Sequence, residues 1–540
     1  MRVNGINLVL FFYFCTVIII PKINMTDASE LASLFAESNI VQEPKYASSK
    51  YVQVSDQQGN SYAGGQISFN LESNKSQLTV LADSYVVLPL RITNAAATSR
   101  YCVKGSILSF IQGCQITTSS GTTLVNEQQG QTPIMANLRL LIDSSIDFHD
   151  MNELQYFGRD NYCKPDASGR GFSSVGYVDP TVSNGYPGID PLFNKALANR
   201  IVAFASQAGA IAGGAQDFIV YIPLRFIHSF FMAMDFPLCN CPFVLTFNIA
   251  GVTGSGYQSF MPMTAPEFPA KLSLGALSPA VAVNTPAAAS PLPIIAATVA
   301  TAAAPQLEIR SSVTQKGFTS GVKLMLKVVT LHEAEALALA SKIKAGYQRA
   351  VTWIGSQYYV MPQVGGVPSY SINQLIGSSI VKPTRLWVLP VASGTLASEK
   401  NTFPAAVGVE GQYLTNTDVL INNMPLFGQQ KRSQYEFYHD LREQFVGSGH
   451  SMQFGSPISY TDFLKGSSYD CFDLSRNSTV NSNTQCSLTL ATDIAAVDND
   501  GVAKNVPALD VICIVEHVMT GLFDISESGV SVLVKQGSVA

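Results

Sequence analysis

Residues 218–250 read FIVYIPLRFIHSFFMAMDFPLCNCPFVLTFNIA, and their periodicity changes twice. Phe218 to Leu224 is an almost wholly apolar run of β-branched and aromatic residues, as in a buried strand. From Arg225 to Asp235 the period becomes helical. Phe226, Phe230 and Ala233 share a face, with Ile227, Phe231 and Met234 beside them. Pro237 stops that helix. Phe243, Leu245, Phe247 and Ile249 then alternate with Val244, Thr246 and Asn248, a strand with one face inward. A hydrophobic strand–helix–strand unit without evident chemistry points to a protein whose work is to be a shape.

Short strands dominate the chain around this unit. Tyr51–Val54, Gln66–Leu71 and Tyr85–Thr93 read as extended, separated by Gly59, Gly64 and Gly65. Val86, Leu88, Leu90 and Ile92 share a face, and Pro89 predicts an edge or a bulge. The strand pattern continues at Val103–Thr118 and Met135–Ile142. Residues 143–188 read as a long polar loop, and residues 26–35 as a short helix with Leu31, Leu34 and Phe35 on one side.

From Thr264 to Pro305 the composition turns to alanine and proline, which reads as an inter-domain linker or an elaborate loop. Strand signals resume at Gly321–Thr330. His332–Ala345 is the clearest helix of the chain, stopped by Gly346. Strands follow at Ala350–Met361, Arg385–Val391, Leu509–Val518 and Val530–Lys535. Ser433–Phe445 is a second helix, with Tyr435, Tyr438 and Leu441 stacked along it. Each half thus carries many short strands and one prominent helix, the pattern of two sandwiches or jelly rolls.

The chain has 540 residues, enough for two or three domains. Charged residues make up only 13%, about half the usual share of ~25%. Uncharged polar surface of that kind suits loops and surfaces later covered by partner subunits. The net charge is −5, and neither end carries a Lys/Arg cluster, so a basic arm that condenses nucleic acid is absent. Nine cysteines at irregular spacing read as free thiols in a reducing compartment, not as a disulfide framework. Leu8 to Ile20 is an uncharged apolar run open to three readings: a signal sequence, a membrane anchor, or an upstream extension before a start at Met25. The last is preferred.

The chemistry-bearing patterns are weak. His332-Glu333-Ala334-Glu335 resembles the start of a metalloprotease helix, but position 336 is Ala, so a solvated helix start is preferred. Cys239 and Cys241, with His228 near in sequence, lack a third well-spaced ligand and read as buried thiols. His149, His439, His450 and His517 stand alone, and Ser448 beside His450 does not make a working pair. Asn74 and Asn477 sit in glycosylation sequons that matter only in a secreted chain.

The order of several fragments carries a family resemblance. Tyr51-Val-Gln-Val, Ile67-Ser-Phe-Asn-Leu and Asp83-Ser-Tyr-Val-Val-Leu-Pro-Leu are followed by Ile222-Pro-Leu, Asp235-Phe-Pro-Leu and Pro242-Phe-Val-Leu-Thr-Phe. In the second half come Val322-Lys-Leu-Met-Leu, Glu333-Ala-Glu-Ala-Leu, Lys382-Pro-Thr-Arg-Leu-Trp-Val-Leu-Pro, Tyr435-Glu-Phe-Tyr, Tyr469-Asp-Cys-Phe-Asp-Leu-Ser-Arg and Leu509-Asp-Val-Ile-Cys-Ile-Val-Glu-His. From Tyr51 to Phe523 this resembles the double jelly-roll major capsid proteins of Polinton-like viruses, virophages and their endogenous relatives.

The resemblance implies an all-β fold with a few short helices, built as two tandem antiparallel β-sandwich barrels. The expected division is an extension and arm over 1–50, a first jelly roll over 51–275, an Ala/Pro-rich linker or loop over 276–305, and a second jelly roll over 306–540. It implies a structural virion protein. Homotrimeric, pseudo-hexameric capsomers would tile an icosahedral shell around double-stranded DNA, touching neighbouring capsomers and penton or minor capsid proteins. It brings no catalytic, cofactor-binding or metal-binding residue and no sequence-specific nucleic-acid binding, and leaves contact with a membrane open. Residues 143–188 and 403–423 are expected in exposed or inter-capsomer loops. A secreted jelly-roll binding protein, lectin- or adhesin-like, is the alternative, and a hydrolase on the same scaffold comes last.

Overall fold

The structure is a computed structural model that describes residues 46–143, 214–263, 306–447 and 463–536, with breaks inside these stretches, and two short strands at 163–165 and 172–174. Eight strands form the jelly roll of the first sandwich: β1 (Ser48–Ser55), β2 (Gln66–Asn70), β3 (Leu78–Asn94), β4 (Ile111–Thr118), β5 (Thr123–Glu127), β6 (Gly214–Pro223), β7 (Phe243–Ile249) and β8 (Lys323–Thr330); a ninth, Gln306–Ile309, adds to β3. One sheet runs β1-β8-β3-β6 and the other β2-β7-β4-β5, all antiparallel.

The second sandwich repeats this order. Its strands are β9 (Tyr347–Gln363), β10 (Ser369–Ile380), β11 (Pro383–Ala392), β12 (Gln412–Ile421), β13 (Met424–Pro425), β14 (Asp470–Asp473), β15 (Cys486–Val497) and β16 (Leu509–Ser526). They pair as β9-β16-β11-β14 and β10-β15-β12-β13, so each strand sits where its counterpart eight earlier sits in the first sandwich. A further strand, β17 (Gly529–Gln536), pairs with β16. First strand beside last, with the chain shuttling between two sheets, is jelly-roll topology twice over. The expected double jelly roll stands.

Alternation explains the sheets. Along β7, Phe243, Leu245, Phe247 and Ile249 are buried and the residues between them only half-buried. Val86, Leu88 and Leu90 of β3 face them from the opposite sheet. Each such side chain contributes about 1.5–3 kcal/mol on burial. Pro89 lies inside a sheet. It opposes Ile219 on one side, and on the other falls between Val87, the last partner of β8, and Leu90, where the strand Gln306–Ile309 takes over.

Several expectations change. The strands at 306–309 and 323–330, expected in the second roll, hydrogen-bond into the first sheet. The Ala/Pro tract, itself outside the described residues, therefore interrupts the first roll between β7 and β8. The connection between the rolls is instead the helix α4 (Glu333–Lys344). Met135–Ile142 belongs to a helix, α1 (Gln131–Asp143), because Ile134 and Leu138 lie one turn apart and Pro133 is tolerated in a first turn. The helix expected over 225–235 is two short turns, α2 (Leu224–Ile227) and α3 (Ser229–Ala233), broken by extended His228.

In α5 (Gln434–Gly447) the buried stripe is Phe437, Leu441 and Gln444, while Tyr435 is exposed. Of the loop expected over 403–423, residues 412–421 form β12, a strand paired on both sides. Asn422 and Asn423 then turn the chain, both with positive φ, as a two-residue hairpin requires. The helix expected over 26–35, the apolar run at Leu8–Ile20 and most of the 143–188 loop lie outside the described residues.

Candidate functional site

The most chemically loaded place among the described residues is the seam between the sandwiches. β9 and β16 pair along their length, from Tyr347 opposite Ile525 to Gln363 opposite Leu509, a ribbon about 55 Å long at ~3.4 Å per residue. One end, with Val351, Trp353, Phe523 and Ile525, belongs to the first core. Met361 and Val511–Val515 belong to the second. Helix α1 divides itself likewise, sending Ala136 and Leu140 into the first core and Ile134, Met135 and Leu138 into the second. The two cores thus share β9, β16 and α1.

A buried polar cluster occupies this seam. The Glu127 carboxylate at the end of β5 has Arg139 Nη1 at 3.7 Å and His228 Nε2 at 3.5 Å, and Ser356 of β9 donates to it at 3.4 Å. Ser229 Oγ donates to the Ile354 carbonyl at 2.9 Å and accepts from the Ile354 amide at 3.1 Å. Tyr358 donates to the Gln131 carbonyl at 2.7 Å. On the adjoining strands, Glu516, opposite Ser356 in register, pairs with Arg385 at 3.5 Å. Every bond of the first set ties a first-roll element to another or to β9.

Burial dominates the electrostatics. It pushes the Glu127 carboxyl above its ordinary range, against the pull of Arg139 and of the Thr132 and Ser356 hydroxyls. It drives His228 well below the usual imidazole value, and the Arg139 charge adds to that. Because His228 Nδ1 accepts the Phe230 amide at 3.0 Å, capping α3, the ring proton sits on Nε2, facing Glu127. Tyr358 is held far above its ordinary value by burial, then by Glu127. The arrangement suits a lock between two bodies. Nothing in it presents a reactive group to solvent.

His228 thus sits beside Glu127, not with a metal set. Cys241 is buried with its thiol pushed up to about 12, and Cys239 is half-buried. Among the described residues no three His, Cys, Asp or Glu side chains converge as metal ligands. His332 occupies the N-cap position of α4, whose acids Glu333 and Glu335 open the helix and whose Lys342 and Lys344 close it, none of them buried. His439 is exposed and His517 buried. His149, Ser448, His450, Asn74 and Asn477 lie outside the described residues. Sequence reading missed Glu127 and Arg139. The signal was there: Arg139 is the one charge inside an otherwise uncharged helix that ends at Asp143.

No protein-family model matches the chain, and no curated protein does. Among solved structures, it is similar to a chain of the Sputnik virophage solved by cryo-EM. That match has TM-score 0.55 and 12% identity, over 96% of this chain and 92% of that one. A chain of the PBCV-1 virus capsid gives TM-score 0.42 at 11% identity, over 91% and 98%. The Faustovirus major capsid protein gives 0.41 at 9%, over 89% and 92%. The virophage likeness is one of fold.

Proposed function

We propose that this chain is a major capsid subunit, three copies of which form a pseudo-hexagonal capsomer that tiles an icosahedral shell around a double-stranded DNA genome. The observation that carries the reading is the identical eight-strand order of the two sandwiches, fused through β9 and β16. Two like lobes held rigidly side by side give six lobes when three subunits close around an axis. The virophage fold match over nearly the whole chain supports the same reading, as does the shortage of charge on surfaces to be covered. Weak lateral contacts, repeated between capsomers, add up to a stable shell. The six free cysteines among the described residues fit assembly in a reducing compartment better than a secreted binding protein.

Recombinant protein beginning at Met25, analysed by light scattering, tests the assembly state. A species of three times the chain mass is expected. A stable monomer over the accessible concentration range overturns the proposal.

A further inference from the structure

Helix α4 is anomalous. None of its twelve residues is buried, and Leu337 is 66% exposed. A helix this short is marginal in water unless an apolar face is covered. Its half-buried side, Leu339 and Ile343, forms one wall of a groove of about 250 Å³. Phe236, Pro237, Leu331, Tyr347 and Ile525 add further apolar surface, and Glu335 and Arg349 are its charged groups. Arg349 lies over the Phe236 ring at 3.6 Å, and Lys342 stands 6.0 Å from the Tyr347 ring.

Tyr46, the first described residue, also lines this groove. The chain upstream therefore starts from the groove itself. Leu31, Leu34 and Phe35 recur there at helical spacing, an apolar stripe that an isolated short helix cannot bury. The eleven residue-to-residue steps from Phe35 to Tyr46 span at most about 36–40 Å, ample to fold back. Charge is complementary as well. Residues 26–45 carry Asp27, Glu30, Glu37 and Glu43 against Lys45, and two cations, Lys342 and Arg349, flank the groove against one acid, Glu335.

We propose that the groove between α4 and the first sandwich receives this chain's own residues 26–45, through Leu31, Leu34 and Phe35. Docked there, the segment completes the burial of Leu339 and Ile343, so the connection between the rolls is stiffened by the chain that precedes them. The site stands on the groove and does not require that the chain build a shell.

Cys239, half-buried in the groove wall, supplies the test. A full-length Leu34→Cys variant, treated with a short bismaleimide, is expected to link residue 34 to Cys239, and Cys239→Ser to abolish the link. An equal mixture of light- and heavy-isotope chains identifies the source: links within one isotope support the proposal, and mixed-isotope links assign the groove to a second copy and overturn it. In parallel, the Leu34→Asp/Phe35→Asp double variant leaves both sandwich cores intact. Its α4 amides are expected to exchange at least about tenfold faster than in the parent chain. Unchanged α4 exchange, or no link to Cys239, overturns the proposal.

Discussion

The ring of Phe230, in a helix of the first sandwich, meets the ring of Trp353, in the first strand of the second, edge to face at 5.3 Å and 88°. Both rings are buried, and Phe243 of the first core meets Phe230 at 5.5 Å. A pair of this kind contributes about 0.5–1.5 kcal/mol beyond its area. It places an aromatic column of the first core directly on the ribbon that continues into the second.

Trp353→Ala removes the ribbon's ring from that column. The expected cost is about 3–5 kcal/mol, as for a large aromatic deleted from a packed core. Because the ribbon is shared, chemical denaturation followed by fluorescence and circular dichroism is expected to change from one transition into two. A single transition at an unchanged midpoint would refute the shared-ribbon account.

Gly521 tests the same contact from the other strand. A Cβ there would lie 2.8 Å from the Trp353 ring and 3.0 Å from the Phe523 ring. Gly521→Ala is therefore expected to destabilise by about 1–3 kcal/mol through overpacking, with a matching drop in thermal midpoint. The solvent-open Gly121, with nothing within 4 Å of its Cβ position, bounds the comparison. Its φ of +89° means that an Ala there reports backbone strain alone.

Glu127 holds the polar side of the seam. Glu127→Ala leaves the Arg139 guanidinium buried without its carboxylate, at a cost of about 3–5 kcal/mol. Glu127→Gln keeps an acceptor for Ser356 and is expected to cost less. Equal losses in urea titrations of the two variants would show that the retained acceptor contributes nothing and would contradict that expectation.

The seam also predicts a pH dependence. The folded chain holds His228 well below 6.5, whereas the unfolded chain takes up the proton near 6.5. The stability is thus complete above that value and is lost as pH falls below it, by up to about 1.4 kcal/mol per unit. His517, lowered by burial, adds with the same sign. Glu127, raised above 4.5, acts oppositely: the folded state keeps its proton in the window just above 4.5, so acidification returns stability there. Denaturation midpoints are expected to fall from pH 7 toward 5.5. His228→Asn, whose Oδ1 can still cap α3, should show a shallower slope, and parallel slopes would contradict the assignment.

How much of this was legible beforehand depends on periodicity. β7 and β8 declared themselves through clean alternation, and α4 through its charges and Gly346. Helix α1 did not, because a short apolar run reads equally as strand or helix, and burial in two cores at once removes the polar face that would decide. The place of the Ala/Pro tract was misread for a topological reason. A jelly roll closes its first strand on its last, and the pairing of Val52 with Leu326, across that tract, leaves no local trace. The seam was missed because its partners, Glu127, Arg139, His228 and Ser356, come from four separate segments.

Phe243 and Phe247 are fully buried on β7, so Phe243→Asp or Phe247→Asp places a charge in the first core. Soluble trimer is expected to disappear in both variants, by size-exclusion chromatography beside the parent protein. Its persistence in either would count against the placement of β7.

The central claim is that two like lobes per chain close threefold into a six-lobed block. Electron microscopy of the purified protein from Met25 addresses it most directly. Class averages with six lobes around a threefold axis are the predicted result, and two-lobed single subunits at every concentration would contradict it.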